Sequence, residues 1–204
     1  MTCIITISMP DSIYMGADSC FYFWDEVMQA QTSKIIALPG MLVGATGTIR
    51  ALQVMKYGSF TSFKQWREAA TSFLTEEQYL VTSFIPELRN CLEEEGQLRN
   101  REGVNQVKST FIVALNGKSF MLESNFQVVE VSRDYCCIGS GASYANGALY
   151  SIFSPEEMGF RPLSKRKILD SILTGLSAAS YHSPSVSPPF YIYSLTKGKI
   201  VQEH

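Results

Sequence analysis

The spacing of apolar and polar residues along the chain switches between two periods. Cys3 to Ser8 is a β-rich apolar run, Pro10-Asp11-Ser12 supplies turn chemistry, and Ile13 to Ala17 returns as a second strand. Lys34 to Leu38 and Met41 to Gly44 read as another strand pair around a Pro39-Gly40 turn. The period then lengthens. Gly44-Ala45-Thr46-Gly47-Thr48 leads into Ile49, Leu52, Val54, Met55 and Tyr57 at helical spacing. A longer helical region is predicted from about Phe63 to Glu95. Trp66, Ala69, Ala70, Phe73 and Leu74 fit its 3.6-residue repeat, Thr75 caps a second helix, and Pro86 marks a kink or break. Glu93 to Val107 is polar and charged and reads as a solvated loop or helix end.

Strands resume at Ser109 to Asn116, turn at Asn116-Gly117, and return over Ser119 to Glu123. Phe126 to Val131 and Tyr135 to Ile138 follow. Gly139-Ser140-Gly141 opens a helix carrying Ala145, Ala148, Leu149 and Ile152, and a second helix runs from about Lys165 to Ser180 behind a Ser164 cap. Phe190 to Leu195, a Lys197-Gly198 turn and Lys199 to Gln202 close the chain. Strands, helices, strands, helices, strands: this block order fits two packed sheets covered by helices better than a regular parallel βαβ sheet. No internal repeat or linker interrupts residues 1–204, so one domain is expected.

Composition narrows the partners. Of 204 residues, 46 % are hydrophobic and 18 % charged, and the net charge is −2, which favours neither nucleic acid nor an anionic membrane. No apolar run approaches the roughly 20 residues of a membrane span. The start, Met1-Thr2-Cys3-Ile4, lacks the basic and apolar regions of a signal peptide, so a cytoplasmic location is expected. The five cysteines, Cys3, Cys20, Cys91, Cys136 and Cys137, form no regular framework, and two histidines are too few for a zinc site. No metal and no cofactor are expected.

Thr2 carries the chemistry. Removal of Met1 would give it a free α-amino group, with a reference pKa of about 7.7–8.0, able to take the hydroxyl proton near neutral pH. Threonine with its own N-terminal amine is one form of the activated nucleophile. Asp18 stands at the end of the returning strand and Lys34 at the start of the third, so the hairpin brings both towards Thr2. A lysine followed by Ile35 and Ile36 needs an anion if it is buried, and Asp18 is the natural partner.

The pattern Thr2, Gly16-Ala17-Asp18-Ser19, Lys34, Gly44-Ala45-Thr46-Gly47 resembles proteasome β subunits and their bacterial relatives. Gly139-Ser140-Gly141-Ala142-Ser143-Tyr144-Ala145 is similar to that family's glycine-serine-glycine segment before a helix. The resemblance implies an α+β fold, a four-layer αββα sandwich of the N-terminal-nucleophile hydrolase kind. It implies that Thr2 attacks a peptide or amide carbonyl and forms an acyl-enzyme ester. Lys34 then tunes the proton inventory, Asp18 orients and balances Lys34, and Ser140 supports the α-amine. Backbone N–H groups of Gly47 and Thr48 form the oxyanion hole. Cys20, Phe21, Thr46 and Thr48 border the substrate pocket. Self-assembly into a homo-oligomeric ring or related assembly, a peptide or protein substrate and an ATP-dependent unfoldase partner are implied as well.

The chain departs from the family in one loop. Tyr181-His182-Ser183-Pro184-Ser185-Val186-Ser187-Pro188-Pro189 holds no aspartate where the family carries an acid. His182 with Ser185 keeps the i, i+3 spacing, and Ser183 fits the acidic position equally. Two other readings stand beside the threonine peptidase: an inactive assembly subunit that keeps Asp18 and Lys34 as a structural pair, and a stand-alone amidase for a small substrate. The aromatic run Phe21 to Trp24 reads as packing or a subunit contact, and Cys136-Cys137 as buried strand residues.

Overall fold

The computed structural model of this chain describes residues 2–23, 26–29, 32–69, 75–153 and 163–204. Its elements follow the expected block order. β1 (Ile4–Met9), β2 (Ser12–Ala17), β3 (Cys20–Phe23), β4 (Glu26–Gln29), β5 (Ile35–Leu38) and β6 (Met41–Ala45) come first. Helices α1 (Ile49–Tyr57), α2 (Phe63–Ala69), α3 (Glu76–Tyr79) and α4 (Ile85–Glu94) follow. Then come β7 (Leu98–Arg101), β8 (Val104–Val107), β9 (Phe111–Leu115), β10 (Lys118–Leu122), β11 (Val128–Glu130) and β12 (Tyr135–Ile138). Helices α5 (Ala142–Ile152) and α6 (Lys165–His182) precede β13 (Tyr191–Thr196) and β14 (Lys199–Gln202).

The strands form two antiparallel five-stranded sheets, ordered β12-β1-β2-β13-β14 and β11-β10-β9-β6-β5, plus the small hairpins β3–β4 and β7–β8. Period-2 alternation decides what each sheet face meets. In β1, Ile5 and Ile7 pack with Leu149, Ile172 and Leu176 of α5 and α6, while Ile4 turns to the other sheet. In β9, Phe111, Val113 and Leu115 pack with residues of α1 and α4, while Ile112 and Ala114 face the first sheet. β6 does the same, with Val43 towards the helices and Leu42 between the sheets. Apolar side chains thus fill three separate layers, one between the sheets and one under each helical cover. Between the sheets, Ser8 Oγ and Ser119 Oγ share a 3.0 Å hydrogen bond.

Two expectations are corrected. The charged stretch Glu93 to Val107 begins as a helix end, with α4 ending at Glu94, but beyond it β7 and β8 form a hairpin rather than a loop. Its turn residues Glu102 and Gly103 both have positive φ, 54° and 81°, as a two-residue hairpin turn requires. The helical region does not break at Pro86 either. Pro86 sits in the first turn of α4, and the irregularity lies just upstream in a π-helical turn, Leu80–Phe84. Proline has no N–H to donate and its ring crowds the carbonyl four residues back, and a widened turn relieves both. Thr75 caps α3 as expected, its Oγ1 accepting the Gln78 N–H at 3.2 Å. Met1, Trp24, Ala70, Phe73 and Leu74 lie outside the described residues. Among the described residues no helix is long and apolar enough to cross a membrane.

Leu42 is fully buried between the sheets. Leu42→Ala is expected to cost about 2–5 kcal/mol in urea unfolding, and exposed Val129→Ala less than about 0.5 kcal/mol. Equal small losses would show that the sheets do not share a packed interior.

Candidate active site

Strand register brings the first residues of the chain between two other strand ends. Ile4 is paired with Ala17 of β2 on one side and with Ile138 of β12 on the other. The residues just beyond those pairs therefore converge on Thr2 and Cys3. On the β2 side this is Asp18, whose N–H donates to the Cys3 carbonyl at 3.3 Å. On the β12 side it is Gly139-Ser140-Gly141, where the Gly141 N–H donates to the Thr2 carbonyl at 3.2 Å. Gly139 has φ +99°, and a Cβ there would stand 2.2 Å from the Thr2 oxygen, so only glycine allows this approach.

Asp18 is fully buried and completely engaged. Oδ1 accepts the Cys3 N–H at 2.9 Å. Oδ2 accepts the Cys20 N–H at 3.0 Å and a Lys34 Nζ hydrogen at 2.9 Å. Lys34 is 1 % exposed. It stands immediately before β5, in the other sheet, and its carbonyl accepts the Ala45 N–H at 3.1 Å. Its ammonium lies 4.9 Å from the centre of the Phe21 ring, a cation–π contact. Burial lowers the Lys34 pKa from 10.5, opposed by the charge of Asp18 and the hydrogen bond to it. Burial also pushes the Cys3 thiol up to about 12, with the Asp18 carboxylate adding to it and Lys34 opposing. Cys3 thus stays protonated at neutral pH and is a poor nucleophile.

A cavity of about 230 Å³ opens over these residues, lined by Thr2, Phe21, Lys34, Thr46, Gly47 and Thr48 among others. Its far wall is the turn between β6 and α1. Gly47 has φ +100°, and a Cβ there would meet the Lys108 carbonyl at 2.1 Å and Ser109 Oγ at 2.6 Å. Among the described residues the Gly47 N–H has no acceptor. The Thr48 N–H does: it donates to Ser109 Oγ at 3.3 Å. The two donors expected for an oxyanion are therefore unequal, because Thr48 is held as the α1 cap, its Oγ1 accepting the Ala51 N–H. Ser109, whose hydroxyl backs this turn, was not singled out from the sequence. A serine opening a strand carries no signature that could have marked it.

The departing loop arranges serines in a row. The Thr2 N–H donates to Ser140 Oγ at 3.1 Å. Ser140 Oγ lies 3.0 Å from Ser185 Oγ, and Ser185 Oγ lies 2.7 Å from Ser183 Oγ. Ser183 and Ser185 are both buried. Ser183 caps the end of α6, its N–H bonded to Ala179 and its carbonyl to the Val186 N–H, and this tight turn points both hydroxyls inward. His182 is not brought to this cluster. It ends α6 on the surface, with its ring stacked 5.0 Å from Tyr144 and edge-on to Tyr181. Of the expected pocket residues, Phe21, Thr46 and Thr48 line the cavity, whereas Cys20 contributes its backbone N–H to Asp18. Among the described residues no group of three or more His, Cys, Asp or Glu side chains is placed to hold a metal ion.

Two sheets with helical covers make this a mixed helix-and-sheet fold. Solved structures that share it include the following two. Thiobacillus denitrificans BPH in complex with epoxomicin superposes with a TM-score of 0.69 at 16 % identity, covering 95 % of this chain and 98 % of that one. Thiobacillus denitrificans BPH gives a TM-score of 0.70 at 15 % identity, covering 95 % and 97 %. At such identities the likeness is one of fold. No protein-family model matches the sequence, and no curated protein matches it.

The hydrogen bonds of Asp18 predict an order of damage. Asp18→Asn swaps one acceptor oxygen for a donor that must face an N–H, and it is expected to cost about 3–5 kcal/mol. Lys34→Met leaves the carboxylate its two backbone donors and costs less. Between the lowered folded pKa of Lys34 and 10.5, the unfolded chain binds the extra proton. Wild-type stability relative to Lys34→Met should therefore rise as pH climbs through that window. Urea unfolding at a series of pH values tests both, and the opposite order or slope would contradict this account of the pair.

Proposed function

We propose that the chain is a threonine-type peptidase or amidohydrolase in which Thr2, freed by removal of Met1, is the nucleophile. The observation that carries this reading is the buried Lys34–Asp18 pair beside Thr2, in one cavity with the Gly47 turn. Thr2 Oγ adds to the carbonyl carbon while its proton passes to the α-amine. The oxyanion accepts the Gly47 N–H. Collapse breaks the C–N bond, the amine returns the proton to the leaving nitrogen, and an ester to Thr2 remains. Water then repeats the sequence and releases the acid.

Lys34 keeps a positive charge near the hydroxyl, and Asp18 orients it. Ser140, backed by Ser185 and Ser183, supports the α-amine through neutral hydroxyls. A carboxylate in place of the Ser183 hydroxyl would raise the proton affinity of the amine, so with serine there the amine remains a free base at lower pH. We read the layers as the four-layer αββα sandwich of a single domain over residues 1–204. The same reading carries a cytoplasmic, homo-oligomeric ring, substrate peptides or proteins, and an ATP-dependent unfoldase partner. It involves no nucleic acid and no membrane.

One observation favours a second reading, an assembly subunit without activity. The 181–189 loop presents serines where the resemblance implies an acid, and the Asp18–Lys34 pair also serves a purely structural role.

Intact-mass measurement before and after epoxomicin, the compound held by the similar BPH chain, separates the two. The peptidase is expected to lack Met1 and gain one adduct, and both Thr2→Ala and Lys34→Ala should abolish adduct and hydrolysis. A full-length mass without adduct supports the subunit, and normal turnover of Lys34→Ala breaks the mechanism. Ser183→Asp is expected to move the acidic limb of the pH–rate profile upwards, whereas an unmoved profile would remove the serine row from the mechanism. Light scattering coupled to size exclusion tests the ring, which a monomer would exclude.

A further inference from the structure

The β7–β8 hairpin walls a groove of about 570 Å³. The opposite wall is the Thr46–Gly47 turn, which also lines the Thr2 cavity, so groove and cavity meet along the same two residues. Arg99, Arg101 and Lys108 line the groove, and no carboxylate does. Arg99 and Arg101 are two apart on β7 and project from one side of it. Several cations elsewhere are paired: Arg50 with Glu95, Lys118 with Glu76 and Glu130, Lys165 with Glu203. Among the described residues, none of the three groove cations has a carboxylate partner. The hairpin's own carboxylate, Glu102, sits at the tip in the turn, outside the groove lining.

Three unpaired like charges on one concave wall repel one another and are relieved by an anion. Arginine forks bind carboxylates with two parallel hydrogen bonds. We propose that this groove is a specificity subsite that takes an acidic side chain of the substrate peptide. The proposal rests on the reading of Thr2 as the place where the peptide bond is broken. A peptide carbonyl at Gly47 would lie where cavity and groove join, so a neighbouring Asp or Glu side chain would enter the groove. A nucleic acid strand is the weaker occupant, since the lining has no aromatic ring on which a base could stack.

Binding is measured apart from turnover, by fluorescence anisotropy with the Thr2→Ala protein. The probes are labelled neutral peptides in which a single Glu or its Gln counterpart is walked along the sequence. At one or two positions Glu is expected to bind about tenfold more tightly than Gln, with the advantage falling as salt is raised. The triple variant Arg99→Gln, Arg101→Gln, Lys108→Gln should erase that advantage. These side chains are exposed, and an unchanged melting temperature would confirm that the variant is folded.

Equal affinities at every position, a preference that survives the triple variant, no binding by either peptide, or tighter binding of oligodeoxythymidine would each overturn the proposal. Failure of the peptidase reading shows separately, as a missing epoxomicin adduct on the unmutated chain. If that chain is active, the triple variant should lose the preference in kcat/KM for Glu peptides while cleaving Gln peptides at the original rate.

Discussion

A carboxylate removed from water must be neutralised where it stands, because solvent no longer screens it and the penalty for an uncompensated buried charge is several kcal/mol. Asp18 meets this condition through Lys34 and two backbone N–H groups. The donors come from the residue before β1, the start of β3 and the residue before β5, and so from the ends of strands in both sheets. The pair adds little net stability, since desolvation offsets most of its attraction. What it supplies is position: the two sheets are clamped at one end, and Thr2 is held where Lys34 and the Gly47 turn also arrive. The Phe21 ring lies over the Lys34 ammonium at the same point.

Around that clamp, uncharged groups do the remaining placement. Gly139 lets the β12 end touch the Thr2 carbonyl. Ser109 accepts the Thr48 N–H, while the Gly47 N–H has no acceptor among the described residues. Ser183 and Ser185 extend the Ser140 contact into the α6 end without adding charge. The balance is therefore one carboxylate and one ammonium, both buried, with neutral hydroxyls on the amine side. Cationic groups reappear only farther out, on the groove wall.

Fold likeness to the BPH structures at 15–16 % identity fits this economy. A layered sandwich needs apolar residues at alternate strand positions and on one face of each helix, and many sequences meet that demand. Shared architecture therefore leaves the identity of most residues open, while the register at the strand ends leaves little room at Gly139, Asp18 and Lys34.

Much of this was legible in the residues alone. The apolar runs of β1, β6 and β9 marked them as strands, and Pro10-Asp11-Ser12 and Asn116-Gly117 marked turns, because run length and turn chemistry are local properties. Asp18 and Lys34 were legible as a pair because the hairpin is local and a buried lysine needs an anion. Local patterns failed where the determining contact is distant. Arg99 and Arg101 masked the β7–β8 hairpin, whose Glu102-Gly103 turn was its only short-range mark. Pro86 foretold an irregularity, which falls in the preceding π turn because proline acts on the carbonyl four residues back. The Ser183–Ser185–Ser140 row, the occupation of the Thr48 N–H by Ser109 and the exclusion of His182 were decided only by the tertiary structure. Each depends on hydroxyls or rings brought together across many residues of chain, and neither propensity nor spacing encodes such meetings.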